Sequence, residues 1–172
     1  MIELNDRRMI CAVTGHRPEK LDMPESEIKK VLTAAIKKAY DDGFRTVISG
    51  MARGIDLWTA QIVLELRDSG YDLELVCAVP YDGFERRWSL SDKNEYDKIT
   101  SRAEVHFICE HYSRCCFQLR NKWMVDHCSR LIAFWNGQKS GTGNTVKYAK
   151  SKEIPIINLL KTEQPTNEAS CE

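Results

Sequence analysis

The chain alternates short apolar stretches with segments in which apolar residues recur every three to four positions. Six of the apolar stretches have the length and the branched residues that are typical of buried β-strands. Segments with helical spacing lie between them, such as residues 23–42, where Ile28, Val31 and Leu32 fall on one face. At the ends of this helix, Asp22 with Glu25 predicts a capping box and Gly43 suits a C-terminal cap.

Strands that alternate with helices are typical of a parallel sheet that is covered on both faces. We therefore predict an α/β fold, an open and mostly parallel sheet with helices on both faces, as a single domain over residues 1–160. Residues 161–172 are polar, include a proline and have no periodicity, so we expect a disordered tail there.

Composition narrows the class of protein. The 172 residues carry 25 basic and 25 acidic side chains, and a net charge of zero argues against a dedicated nucleic-acid binder but not against a local basic patch. The start of the chain has no apolar core of signal-peptide length, and no apolar run is long enough to span a bilayer. With seven cysteines, an odd number, we expect a cytoplasmic protein with reduced thiols.

The turns that follow the strands are the places to look for a ligand, because ligands of open parallel sheets bind beyond the carboxyl ends of the strands. Four turns, within residues 14–18, 49–56, 80–88 and 136–145, offer glycines, hydroxyls and cations. The candidate ligand-binding residues in these turns are Thr14, Gly15, His16, Arg17, Ser49, Gly50, Met51, Arg53, Gly54, Asp56, Pro80, Tyr81, Gly141, Thr142, Gly143, Asn144 and Thr145.

The chemistry of these turns points to phosphate. Glycine lets the backbone approach an anion closely, and free N–H groups at the start of a helix favour negative charge. In the segment "SGMARGID", Gly50 and Gly54 precede a predicted helix; Arg53, together with Arg17 from the first turn, would neutralise phosphate, and Asp56 would contact ribose. Two other interpretations stay open: the glycines serve packing alone, and Asp56 only caps its helix.

Several common sites are not indicated. The fingerprint G-x-G-x-x-G and the loop G-x-x-x-x-G-K-[ST] are both missing. We predict no metal site in "HFICEHYSRCC", because alternation along a strand would turn His106 and Cys109 to opposite faces. In the third turn, Tyr81, Phe84 and Trp88 either stack on a base or pack onto the domain.

The segments "TGHRP", "SGMARGIDLWTAQIVLELR", "AVPYDGFERRW", "RNKWMVDHCSRLIAFWNGQKSGTGNTVKYA" and "IPIINL" together resemble the YpsA-like proteins. These belong to the SLOG superfamily, with the DNA-processing protein DprA and the LOG phosphoribohydrolases. The resemblance implies a Rossmann-like fold and a pocket for a nucleotide or a nucleotide-derived ligand, related to ADP-ribose or NAD. It places one glycine-rich motif at residues 50–56 and the other at residues 141–145, and it implies a bacterial sensor or regulatory protein.

Two further activities follow from relatives in the superfamily. The phosphoribohydrolases cut the N-glycosidic bond of nucleoside monophosphates with an arginine and a glutamate. Arg120 and Asn121 in "LRNKW" are further candidate ligand-binding residues. Arg120 matches the arginine of these relatives, but Tyr148 stands where the glutamate belongs. An oxocarbenium-like transition state needs a nearby carboxylate, so Asp56 would have to substitute, and we lean against an enzyme.

The DNA-processing relatives bind single-stranded DNA and share the segment "ARGID". We expect nucleic acid to be disfavoured here, because only residues 81–88 mix aromatic and basic side chains. We expect no membrane partner. A homo-oligomer and protein partners stay open, and Trp123 and Trp135 lie either at such an interface or in the core.

Overall fold

A computed structural model describes residues 6–160, which form a six-stranded sheet between two layers of helices. The predicted tail at residues 161–172 lies outside the described residues. The strands are β1 (Ile10–Gly15), β2 (Thr46–Ser49), β3 (Glu74–Tyr81), β4 (Glu104–Cys109), β5 (Arg130–Phe134) and β6 (Ile156–Asn158). The helices are α1 (Glu25–Asp41), α2 (Ile55–Asp68), α3 (Leu90–Thr100), α4 (Cys116–Asp126) and α5 (Gly141–Ser151), with short 3-10 helices at Arg7–Met9 and Pro18–Lys20.

The strand order is β4-β3-β2-β1-β5-β6, and all five neighbouring pairs are parallel. The predicted open parallel α/β sheet is therefore confirmed. Val13 of β1 is in register with Ser49 of β2 on one side and with Ile132 of β5 on the other. The order of the strands reverses between β1 and β5, and the crevice beyond such a reversal is where ligands of this class of sheet bind.

Alternate residues of each strand supply two separate cores. Cys11 and Val13 belong to the core beneath α1 and α2, whereas Ile10 and Ala12 belong to the core beneath α4 and α5. Each face buries branched and aliphatic side chains, and such burial contributes about 1.5–3 kcal/mol for each large side chain. Because both faces are covered, the central strands β1, β2, β3 and β5 are almost entirely buried, whereas the edge strand β4 is only partly buried.

The beginning of α1 differs from the prediction. The helix begins at Glu25 with Pro24 as its N-cap, and no side chain caps it, so the predicted capping box of Asp22 with Glu25 is wrong. The carbonyl of Pro24 already accepts the first helical bonds, from the amides of Glu27 and Ile28. At the other end Gly43 adopts a φ of +100°, which favours glycine and agrees with the prediction.

None of the helices within residues 6–160 combines the length and the hydropathy that a membrane span requires.

Candidate functional site

The turns that follow β1 and β2 fit into each other through glycines. A Cβ added to Gly15 would lie 2.5 Å from the Ile55 side chain, and one added to Gly54 would lie 2.7 Å from Cδ of Pro18. Gly54 also has a φ of +88°, a conformation that other residues rarely adopt. The interpretation that these glycines serve packing therefore holds for Gly15 and Gly54.

Hydrogen bonds within residues 49–56 fix the conformation of this turn. The Ser49 hydroxyl donates to the carbonyl of Asp56 at 2.7 Å and accepts from the amide of Met51 at 3.1 Å. Met51 is fully buried with a φ of +58°, an uncommon conformation for a residue other than glycine. Ser49 and Met51 thus shape the turn and do not line the cavity that is described below.

Asp56 and Arg120 are brought together in the interior, 5% exposed each. The Arg120 guanidinium donates to the carbonyl of Gly50, and its Nε donates to Asn121 at 2.7 Å. A Cβ on Gly50 would lie 2.6 Å from Asp56 Oδ2 and 2.7 Å from Arg120 Nη1. Gly50 is therefore needed to let a carboxylate from α2 and a guanidinium from α4 approach each other.

The Asp56 carboxyl is only partly satisfied. Its Oδ2 accepts from the amide of Ala52 at 3.4 Å, while its buried Oδ1 has no hydrogen-bond partner among the described residues. Burial raises the pKa of Asp56 to about 6, and the charge of Arg120 and the amides of Ala52 and Gly15 limit that rise. Burial likewise lowers the pKa of Arg120. Asp56 lies inside the first turn of α2, whose N-cap is Gly54, so it is not the cap of its helix.

The glycine-rich turn after β5 has a different design. α5 begins at Gly141, where the Ser140 side chain caps it by accepting from the amide of Gly143 at 3.0 Å. Thr145 donates through its hydroxyl to the carbonyl of Gly141 at 3.1 Å. Gly141 and Asn144 are exposed, and the first turn of α5 has no acidic residue, so the positive end of the helix is available to an anion.

A hydrogen bond joins the two turns on either side of the strand reversal. His16 after β1 and Asn136 after β5 are linked by a bond of 2.9 Å between Nε2 and Oδ1. His16 is 3% exposed, and burial lowers the pKa of its imidazole while the bond to Asn136 opposes that shift. The bond between His16 and Asn136 therefore ties the turn after β1 to the turn after β5 across the crevice.

A cavity of about 320 Å³, here called the rim cavity, occupies the crevice between these turns. Its basic side chains are Arg17, Lys20 and Arg120, and its single acidic side chain is Asp56. Its other lining residues are Thr14, Gly15, His16, Ala52, Phe117, Asn121, Ser140, Gly141 and Thr142. The excess of cations, together with the N-terminus of α5, makes the rim cavity suited to an anion.

A second cavity, here called the α4–α5 cavity, lies beside it and has a volume of about 530 Å³. The two cavities share Phe117, Asn121 and Gly141. The other residues that line the α4–α5 cavity are Arg114, Gln118, Lys122, Asn144, Thr145, Lys147 and Tyr148.

Several predicted site residues lie away from both cavities. Arg53 forms salt bridges of 3.1 Å with Glu19 and with Asp92, so two carboxylates already compensate its charge. Gly143 is buried under the α5 cap, and Pro80 is buried at the end of β3. The structure thus brings together the first turn, Asp56, Arg120 and the α5 turn, and leaves Arg53 outside that group.

The aromatic residues of the third turn pack onto the domain. Phe84 lies between Trp88 and Tyr96, with ring centroids 5.0 Å and 5.7 Å away, and all three rings contact the core beneath α1 and α2. Tyr81 makes an edge contact with Phe117, 6.1 Å between centroids. Of the two interpretations of this turn, packing describes Phe84 and Trp88, and Tyr81 supports a ring that lines the rim cavity.

Sequence reasoning missed Lys20, Phe117 and Ser140. The position of Ser140 before a helix is a recognisable capping pattern, but the glycines that follow it hide the start of the helix. Lys20 and Phe117 carry no local pattern, because only folding brings them to the crevice. Trp123 and Trp135 are partly buried against the core beneath α4 and α5.

Within residues 6–160, no group of three or more His, Cys, Asp or Glu side chains is arranged to hold a metal ion. His106 instead lies against Trp123, whose ring stacks on His127 with centroids 4.1 Å apart.

Comparisons with known proteins agree with this architecture. The model of the YspA SLOG family matches residues 11–160. A UPF0398 protein of Bacillus cereus strain AH820 is 30% identical over 158 residues, which cover 87% of this chain and 86% of that protein. A UPF0398 protein of Bacillus thuringiensis strain Al Hakam has the same identity and coverage.

Among solved structures, the DNA processing protein A of Streptococcus pneumoniae has a TM-score of 0.63 and 18% identity, over 89% of this chain and 50% of that chain. The protein of the same name from Helicobacter pylori, whose structure was described for its single-stranded DNA binding mode, has a TM-score of 0.65 and 16% identity, over 89% and 66%. This chain spans half to two thirds of those neighbours, and at such identities the likeness shows a shared fold.

Proposed function

Because the chain belongs to the YspA SLOG family, we propose that it binds a nucleotide or nucleotide-derived ligand, such as ADP-ribose or NAD, as a sensor or regulatory protein. One observation carries the proposal. The rim cavity combines three cations with a buried carboxylate oxygen, Asp56 Oδ1, that has no partner among the described residues.

These two features suit the two ends of a nucleotide's ribose phosphate. Arg17 and Lys20 are exposed and reach the cavity from the first turn, where they would neutralise phosphate together with the amides at the start of α5. A ribose hydroxyl would donate to Asp56 Oδ1, which removes the cost of an unpaired buried acceptor. Arg120 would hold the carboxylate in place while it remains bonded to Gly50.

The matching test is a thermal-shift titration with AMP, ADP, ADP-ribose, NAD and ribose 5-phosphate. A ligand at a hundredfold its Kd stabilises the folded state by about 2.7 kcal/mol. Arg17→Ala should weaken binding, whereas Arg53→Ala, which removes the same charge outside the cavity, should leave the affinity unchanged. Equal losses in both variants, or no shift with any ligand, would refute the proposal.

The enzymatic alternative is tested in the same samples. Release of ribose 5-phosphate from AMP would show a nucleotide N-glycosidase. The structure offers little for that reaction at the position of the relatives' glutamate, since Tyr148 stands there and donates its hydroxyl to Asp126 at 3.0 Å. Asp56 is the carboxylate that lines the rim cavity, and Asp56→Asn would abolish any such activity.

Single-stranded DNA is a second candidate ligand, favoured by the fold shared with a DNA processing protein of known single-stranded DNA binding mode. The basic residues near α4 and α5 give it a chemical basis in spite of the zero net charge of the chain. A mobility shift that weakens steeply with salt would support it.

A further inference from the structure

The α4–α5 cavity is large, basic and has no acidic lining. Arg114, Lys122 and Lys147 line it, and none of its ten lining residues is Asp or Glu. Of these cations, Lys122 is half-buried, and its Nζ lies 5.4 Å from the centroid of the Tyr148 ring. Such a concentration of positive charge is compensated most simply by an anionic ligand.

Two aromatic rings give this cavity flat walls. Phe117 and Tyr148 are both half-buried, and the Tyr148 ring is held by hydrogen bonds from its hydroxyl to Asp126 at 3.0 Å and 3.2 Å. Phe117 is held by its edge contact with Tyr81. Fixed rings beside cations are the combination that binds a base next to its phosphate.

Each of the two cavities is large enough to hold a small ligand of its own. Small-molecule sites range upward from roughly 300 Å³. The rim cavity, at about 320 Å³, and the α4–α5 cavity, at about 530 Å³, each reach that size. Because they share Phe117, Asn121 and Gly141, a single extended ligand can occupy both.

We propose that the α4–α5 cavity is the second compartment of one ligand site, and that the ligand consists of two nucleotides joined by a phosphodiester. This inference rests on the proposed function, which places the first phosphate in the rim cavity. The second base then lies against Phe117 and Tyr148, and the linking or terminal phosphate lies near Lys122 and Lys147. The same chemistry occurs in a free dinucleotide and in a short single strand.

The test compares three probes by calorimetry at low salt: AMP, the 5′-phosphorylated diadenylate pApA, and a ten-nucleotide 5′-phosphorylated oligoadenylate. We expect pApA to bind at least tenfold more tightly than AMP. The double variant Lys122→Ala with Lys147→Ala should remove that gain and leave the affinity for AMP unchanged. A charge-matched control, Lys30→Ala with Lys37→Ala on α1, should retain the gain.

The outcomes separate this inference from the proposed function. Equal affinities for AMP and pApA would overturn the second compartment while the nucleotide site stands. A double variant that weakens AMP as much as pApA would also overturn it, since one nucleotide would then lie across both cavities. If none of the three probes binds, the second compartment is overturned, and the thermal-shift titration with ADP-ribose, NAD and ribose 5-phosphate decides the proposed function separately. Where pApA shows the gain, an oligomer that binds no more tightly indicates a free dinucleotide, and tighter binding indicates a strand.

Discussion

The turns after β2 and β5 carry similar glycine-rich sequences before a helix, yet they have different physical roles. In the turn at residues 49–56, added Cβ atoms on Gly50 and Gly54 would lie within 3 Å of neighbouring atoms, and Arg53 is paired with two carboxylates. In the turn at residues 136–145, Gly143 is packed in the same way, with an added Cβ 2.9 Å from the Gln138 carbonyl oxygen, but Gly141 at the start of α5 is exposed and an added Cβ there would meet nothing within 4 Å.

The difference shows what a glycine pattern means by itself. The first turn uses glycine to pack two turns together and to let Asp56 approach Arg120, whereas the second leaves the start of α5 open to solvent. From the sequence alone, both turns are predicted to bind phosphate. The second offers free backbone at the positive end of a helix, whereas the first contributes Ala52 and the buried carboxylate of Asp56 to the rim cavity.

Exchanging glycine for alanine in each turn is the change with the largest expected effect. Gly54→Ala should lower the free energy of unfolding by about 3 kcal/mol, because a side chain there is strained at positive φ and meets Pro18. Gly141→Ala, the matched control, should change it by less than about 1 kcal/mol and in the stabilising direction. Urea denaturation of both variants measures the contrast, and similar losses would mean that the two turns do not differ as described.

The pH dependence of stability sharpens the contrast at Asp56. An acid whose pKa rises on folding, here from 3.8 to about 6, binds its proton more strongly in the folded state. Its contribution to stability is therefore greatest below pH 4 and is lost as the pH rises through 6, by up to about 3 kcal/mol.

Urea denaturation from pH 4 to pH 7 measures this contribution against Asp56→Asn, which has no charge to develop. The stability of the wild type relative to that variant should fall across this range. Asp72→Asn, which removes an exposed carboxylate, serves as the matched control. A constant difference for Asp56→Asn would place its carboxyl in a wetter environment than the structure shows.

Removal of the α5 cap is the smallest of these effects. Ser140→Ala should cost about 1 kcal/mol, because the amide of Gly143 loses its acceptor. Ser91→Ala, at an exposed position inside α3, should cost nothing measurable. If thermal denaturation shows the same midpoint for Ser140→Ala as for the wild type, the Ser140 cap does not stabilise the start of α5. The conformation of the second turn would then have another cause.

Most of the fold could be predicted because each step depends on local pattern. The apolar strands alternate with helices, and the C-terminal cap of α1 at Gly43 is indicated by the glycine itself. The start of α1 could not be predicted in the same way, since Asp22 with Glu25 matches a capping pattern that Pro24 replaces. At the site, Arg17 and Asp56 were recognisable as polar residues after strand ends and Arg120 through the family resemblance, but Lys20 and Phe117 had no distinguishing neighbours.

The sequence by itself determined the parallel α/β architecture, the edge of the sheet where polar residues gather, and the family. These features follow from the periodicity of apolar residues and from the order of motifs, which can be read directly from the sequence. Only the tertiary structure decided which of two similar turns is packed and which is open, because that depends on atoms contributed from distant positions. The Cβ space at Gly50 is limited by Arg120, seventy residues away, and the charge of Arg53 is compensated by Asp92. Such contacts follow from the sheet order, in which β1 lies between β2 and β5, and no local pattern encodes them.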